Sequence, residues 1–270
     1  MLAIRKQKRL KKGDIMSLNK AKMFTITSTK GGVGKTTTVL NLAGVYEKMG
    51  KKVLIIDLDF YAGDIAASLN IKLKKDIYLL YEDITNNKFT TIEDYVLVYD
   101  DAISVLAAPK DPRFGRKIGS KVLNLILYKA GFKYDVILMD TNHIMTDINL
   151  FAFDYSDSIL YIMNNDLMNL KGMKSVVSIM NDMENKNYRI VLNKSIIKDR
   201  DYFNKSDIRN IINKNINYII PDSFHIKNID KYTLSGKILT LDKSIVKKYK
   251  RANKIFELIA KDLLTESRGE

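Results

Sequence analysis

The stretch Ser28-Thr29-Lys30-Gly31-Gly32-Val33-Gly34-Lys35-Thr36-Thr37-Thr38 constrains the fold more than any other part of the chain. It follows an alternating apolar run (Met23, Phe24, Ile26) and opens a helical pattern at Val39, Leu40, Leu42, Ala43, Val45 and Tyr46. A glycine-rich bend between strand and helix lets the N–H groups from Gly31 through Gly32, Val33, Gly34, Lys35, Thr36 and Thr37 converge on one spot, and the positive end of the helix adds attraction for phosphate. Lys35 is spaced to reach β- and γ-phosphates, and the Thr36 hydroxyl to ligate Mg²⁺. Thr29 stands where the motif usually has its first glycine, and a second lysine, Lys30, lies just inside the bend.

With that lysine included, Lys-Gly-Gly-Val-Gly-Lys-Thr-Thr resembles the deviant Walker A motif of the MinD/ParA family of ATPases. The resemblance implies that Lys30 crosses a homodimer interface and touches phosphates held by the partner subunit. It also implies a P-loop NTPase of the SIMIBI, MinD-like type, with ATP/ADP and Mg²⁺ as cofactors and slow, partner-regulated hydrolysis.

The rest of the chain alternates strand and helix patterns, which specifies an α/β fold with a mostly parallel, doubly wound sheet flanked by helices. Strands are expected at Val53–Ile56, Ile103–Ala108, Val136–Met139, Ile159–Met163, Tyr188–Leu192 and Tyr218–Ile220. Helices are expected near Ile65–Leu69, Ile77–Ile84, Lys121–Lys129 and Leu167–Met183, with one long helix over Ser244–Leu264. That last helix carries a single apolar stripe at Ile245, Tyr249, Ala252, Phe256, Ile259 and Leu263. A single P-loop domain over residues 22–265 is expected, between a basic segment at 1–21 and a tail at 266–270.

Asp57 and Asp59 follow the second strand, at the sheet edge where ligands bind in open parallel sheets. By the resemblance, Asp59 positions the attacking water and Asp57 orients the Mg²⁺ hydration shell, while Asp64 reads as the cap of the next helix. Asp140 ends a fully apolar strand, and the same resemblance implies that it is the Walker B carboxylate holding Mg²⁺ through a water. After it stands Thr141-Asn142-His143, where the family usually has proline or glycine. Asn193 falls where the family places an adenine-bonding asparagine, and Pro221-Asp222 resembles the segment flanking the base. The guanine-reading Asn-Lys-x-Asp is absent, since Asn193-Lys194-Ser195-Ile196 lacks its aspartate. His143 and His225 have no metal-ligand companions at suitable spacing and read as surface or loop residues.

The absence of cysteine excludes disulfides and thiolate metal sites, and with them the cluster-holding relatives that share the lysine-rich loop. No tyrosine cluster follows the last helix, which argues against the bacterial tyrosine kinases with the same loop. No apolar run reaches the ~18 residues of a membrane span, so the cytoplasm is the expected compartment, with recruitment to a cell pole or membrane site. The net charge of +14 points to an anionic partner. About half of the excess lies ahead of the first strand, at Arg5, Lys6, Lys8, Arg9, Lys11, Lys12, Lys20 and Lys22. Lys11-Lys12-Gly13-Asp14-Ile15-Met16 also reads as a translated ribosome-binding stretch before a start at Met16, which would make residues 1–15 non-native or a disordered arm.

Within the family, Asp57–Asp64, Leu106-Ala107-Ala108-Pro109 and Ser156-Asp157-Ser158-Ile159 resemble the TadZ/CpaE pilus-localisation branch. The expected function is an ATP-dependent dimerising switch that recruits a machine such as a pilus or secretion system through a protein partner. The alternatives are a partition ATPase on nonspecific DNA and a membrane-associated division or flagellar regulator. The last is disfavoured because no amphipathic tail is visible beyond the final core-facing helix.

Overall fold

The computed structural model describes residues 21–183, 187–196, 202–226 and 229–265. The basic segment up to residue 20, the suggested start at Met16 and the tail 266–270 lie outside them.

The strands form one sheet in the order β3-β4-β2-β5-β1-β6-β7-β8. They are β1 Lys22–Ser28, β2 Val53–Asp57, β3 Leu97–Val98, β4 Ile103–Leu106, β5 Val136–Asp140, β6 Ser158–Met163, β7 Tyr188–Asn193 and β8 Tyr218–Ile220. All neighbours run parallel except β3 with β4. β2 and β5 are buried at every position, as near-continuous apolar runs require when both sheet faces are covered. β3 was not expected. Two residues carry no readable period, and their pairing depends on β4 next door.

The helices are α1 Lys35–Lys48, α2 Ile65–Ser68, α3 Ile77–Thr85, α4 Ser120–Ala130, α5 Asp147–Tyr155, α6 Leu167–Asp182, α7 Lys205–Ile212, α8 Ile229–Leu234, α9 Lys243–Lys248 and α10 Lys250–Thr265. One sheet face packs against α1 and α10 through Phe24, Val39, Leu138 and Phe256. The other packs against α3, α4 and α5 through Leu54, Ile77, Leu123 and Ala152. A third cluster joins β6 and β7 to α6 and α7.

The expected helix over 244–264 is two helices. Tyr249 separates them at φ −113 and ψ 47, and its ring packs edge-on against Phe224 at 5.6 Å between centroids. The apolar stripe holds across the break, with Ile245, Ala252, Phe256, Ile259 and Leu263 all buried.

Two fastenings position the phosphate-loop strand and helix. Asp157 accepts the Met23 N–H at 2.7 Å, and the Ser156 and Thr25 hydroxyls bond at 2.6 Å. Residues that carried the TadZ/CpaE resemblance therefore pin the start of β1. On α1, the buried Asn41 donates to the Thr37 carbonyl at 2.8 Å and accepts from Thr240 N at 3.1 Å. Thr240 Oγ1 donates back to the Asn41 carbonyl at 2.8 Å. The segment before α9 thus locks the first two turns of the helix.

Candidate active site

The strand order reverses beside β1, and the loops that follow β1, β2, β5 and β7 meet at the carboxyl edge of the sheet there. Gly32 and Gly34 take φ values of +72 and +91, which only glycine adopts without strain. A Cβ on Gly34 would also lie 2.5 Å from Asn193 Nδ2. Asn193 reaches the loop across 160 residues of chain and donates to the Val33 carbonyl at 2.9 Å. No side chain caps the start of α1, so its first-turn N–H groups face the edge as an anion cradle.

Thr36 Oγ1 donates to Asp140 Oδ2 at 2.7 Å, while Asp140 Oδ1 is buried without a hydrogen-bond partner. A buried, orphaned carboxylate oxygen beside a hydroxyl is a set of hard donors that fits Mg²⁺. Among the described residues no three of His, Cys, Asp and Glu are grouped to hold a metal. Water and phosphate oxygens complete the shell in such sites, as is usual for this ion.

Asp57 and Asp140 are register partners at the ends of neighbouring strands. Burial, reinforced by the Asp140 charge, raises the Asp57 pKa well above the ordinary carboxylate range. Burial likewise pushes Asp140 up to about 7, against the pull of the Thr36 hydroxyl and the Lys35 charge. Asp64, affected by burial and then by Asp59, is raised as well, and Lys35 again opposes. The edge is thus electrostatically short of cations, with Lys35 set beside two carboxylates, Asp140 and Asp64.

Several expectations are placed differently. Asp64 sits at the head of α2 but makes no capping bond. Asp57 supplies it instead, accepting Ile65 N at 3.2 Å and Asp59 N at 3.1 Å. Both Asp57 oxygens are thereby engaged by the backbone, and Asp64 is left facing Lys35. Asn193 Oδ1 accepts from Ser195 N at 3.0 Å and Ser195 Oγ at 2.7 Å, so this side chain braces the loop. Pro221 is buried, whereas Asp222 is exposed and accepts the Ser223 N–H at 2.7 Å. His225 is half-buried, and its Nδ1 lies 2.8 Å from the Ser195 carbonyl oxygen, tying the Asn193 and Pro221 loops together. Nothing local in the sequence marks that tie. His143 is exposed near Gly31, within 4.0 Å of where a Cβ there would lie.

Lys30 faces outward. Its side chain is 52% exposed, with Nζ 3.4 Å from Asp166 Oδ2. Exposed apolar side chains stand on the loops after β2 and β5, at Tyr61, Ile144 and Met145, and in the first turn of α6, at Leu167 and Met168.

A family model described as an AAA domain matches residues 21–198. The septum site-determining protein MinD of Helicobacter pylori is 26% identical over 242 residues, covering 85% of this chain and 88% of that protein. The chain belongs to the MinD/ParA family. Other curated relatives match over shorter stretches: the chromosome-partitioning ATPase Soj of Thermus thermophilus is 38% identical over 63 residues, covering 23% of this chain and 25% of that protein. Apart from the Helicobacter protein, the chain spans between 25% and 64% of the length of these curated relatives. Among solved structures, a ParA-family ATPase from Chlorobium tepidum superposes with a TM-score of 0.74 at 17% identity, over 88% of this chain and 98% of that one. MinD from Pyrococcus horikoshii, complexed with Mg-ADP, superposes at 0.71 and 20% identity, over 91% and 96%. At these identities the likeness is one of fold. It matches the MinD-like sheet expected for a deviant Walker A loop.

Proposed function

We propose that this chain is a Mg²⁺-dependent ATPase whose ATP-bound homodimer positions or recruits a cellular machine such as a pilus or secretion system, in the manner of the TadZ/CpaE branch. The observation that carries the reading is the division of labour between two lysines of one loop. Lys35 lies inward beside Asp140 and Asp64, whereas Lys30 is exposed and pairs only loosely with Asp166 at 3.4 Å. An exposed ammonium group on the same loop as a phosphate cradle suits a second subunit closing over the edge.

In this reading the N–H groups of Gly31 to Thr37 and the Lys35 ammonium bind the phosphates. Thr36 and Asp140 hold the cation, which when bound neutralises charge on the β- and γ-phosphate oxygens. Asp59, half-exposed at the edge, orients a water and accepts its proton. Asn193, Pro221 and Asp222 line the side where the base is held. The loops after Asp59 and Asp140 order on the triphosphate and favour association, and hydrolysis releases them. Multi-angle light scattering with ADP and with a non-hydrolysable ATP analogue tests this. A dimer with the analogue alone supports the switch, and the same mass in both refutes it.

A second reading is partition on nonspecific DNA, favoured by the C-terminal helices. Lys243, Lys247, Lys248, Lys250, Arg251 and Lys254 are all exposed there, and no Asp or Glu lies within 243–256. Contacts between such cations and phosphates weaken steeply with salt. A gel-shift on random DNA at low and moderate salt separates the readings: salt-sensitive shifts favour partition, and no shift at either salt favours the recruiter.

A further inference from the structure

Thr29, the residue that replaces the motif's first glycine, is held by α6 from the far side of the chain. Its hydroxyl donates to Asn169 Oδ1 at 3.1 Å. Asn169 is fully buried, and its amide nitrogen bonds Asn164 Oδ1 and, at 3.3 Å, Asp166 Oδ2. Asp166 caps α6 by accepting the Asn169 N–H at 2.9 Å, and its second oxygen faces Lys30 Nζ at 3.4 Å. One helical turn beyond Asn169 is Gly172, where a Cβ would lie 2.8 Å from both Cβ and Oγ1 of Thr29. Real Cβ atoms essentially never approach so closely, and Thr29 is β-branched with few rotamers to escape into. The close approach therefore depends on glycine at 172.

We propose that Asn169 and Gly172 are positioning residues for the phosphate loop: through Thr29 they fix the backbone on which Lys30 is carried. Neither residue touches the cradle. Asn193 and Val33 brace the inner half of the loop, and the Asn169–Thr29 bond with the Gly172 notch braces the outer half. This inference rests on the reading of Lys30 as the residue that serves the partner subunit. The outer brace therefore governs association more than nucleotide capture.

Five variants of the full chain test it, three single changes and a Thr29→Gly background with and without Gly172→Ala, each first checked for an unchanged thermal melt. Thr29→Val keeps the volume and removes the donor, and it should raise the dissociation constant of the analogue-bound dimer about tenfold, while monomer affinity for the nucleotide changes less than about threefold. Thr29→Ser keeps the hydroxyl and should stay within about twofold of the parent. Gly172→Ala should weaken the dimer about tenfold in the parent, yet add nothing in a Thr29→Gly background, because the clashing side chain is gone. Indistinguishable Val and Ser variants, or a Gly172→Ala effect of equal size in both backgrounds, would overturn the proposal. Hydrogen exchange of amides 29–31 in nucleotide-free protein gives a readout independent of the switch. Faster exchange in Thr29→Val and Gly172→Ala than in the parent and Thr29→Ser supports the brace even if no dimer forms, and equal rates in all four overturn it.

Discussion

Asp140 should make the nucleotide-free protein lose stability as pH rises, and the size of the loss follows from its surroundings. The carboxyl group is fully buried, one oxygen accepts from Thr36 and the other has no partner. Burial is the largest cause of a pKa raised to about 7, against about 3.9 in an unfolded chain. A carboxyl whose folded pKa lies above its unfolded pKa binds its proton more tightly when folded. Its stabilisation is complete below about pH 4 and is lost as pH rises through about 7. Between about pH 5 and about pH 8, linkage gives roughly 2–3 kcal/mol lost through this one group. For a domain of this size that is about 5–10 °C in melting temperature. Asp57, raised by the same burial, acts in the same direction, so the comparison must be made against Asp140→Asn. Scanning calorimetry of both proteins in chelator, across that range, is the assay. The parent should lose markedly more than the variant, whose carboxamide does not titrate. Parallel curves would show that the buried edge does not hold Asp140 as a neutral acid, and would remove the electrostatic case for a cation at this position.

Lys35→Ala should raise the dissociation constant for ATP by about a hundredfold or more, since it removes a charge-assisted contact to phosphate; calorimetric titration reads this. Asp59→Ala should keep nucleotide binding and lower phosphate release by about a hundredfold, the usual span for a lost general base, leaving a dimer that persists in ATP by light scattering; normal cycling would refute the water-orienting role. Asn193→Ala should weaken ATP binding about tenfold by releasing the Val33 carbonyl from its brace, and an affinity within twofold of the parent would place that support elsewhere.

The fold was legible wherever one strand buries both faces. Val53–Ile56 and Val136–Met139 read directly as central strands because nothing polar interrupts them, and their terminal carboxylates then mark the binding edge. The phosphate loop was legible because its chemistry is local: glycine, lysine and threonine at fixed spacing. What escaped depends on contacts distant in sequence. β3 exists through its pairing with β4, and the break at Tyr249 through packing on Phe224. Asp64 looks like a cap until Asp57, seven residues earlier, is seen to take that bond. The braces on the two halves of the loop span 160 and 140 residues, beyond any local period.

Light scattering of Lys30→Ala with a non-hydrolysable ATP analogue tests the central claim most directly. Its pair with Asp166 is exposed and 3.4 Å apart, worth at most about 1 kcal/mol, so the variant should fold as the parent does. The account predicts that it binds the analogue with near-parental affinity and stays monomeric where the parent dimerises. A Lys30→Ala dimer as tight as the parent's would contradict it.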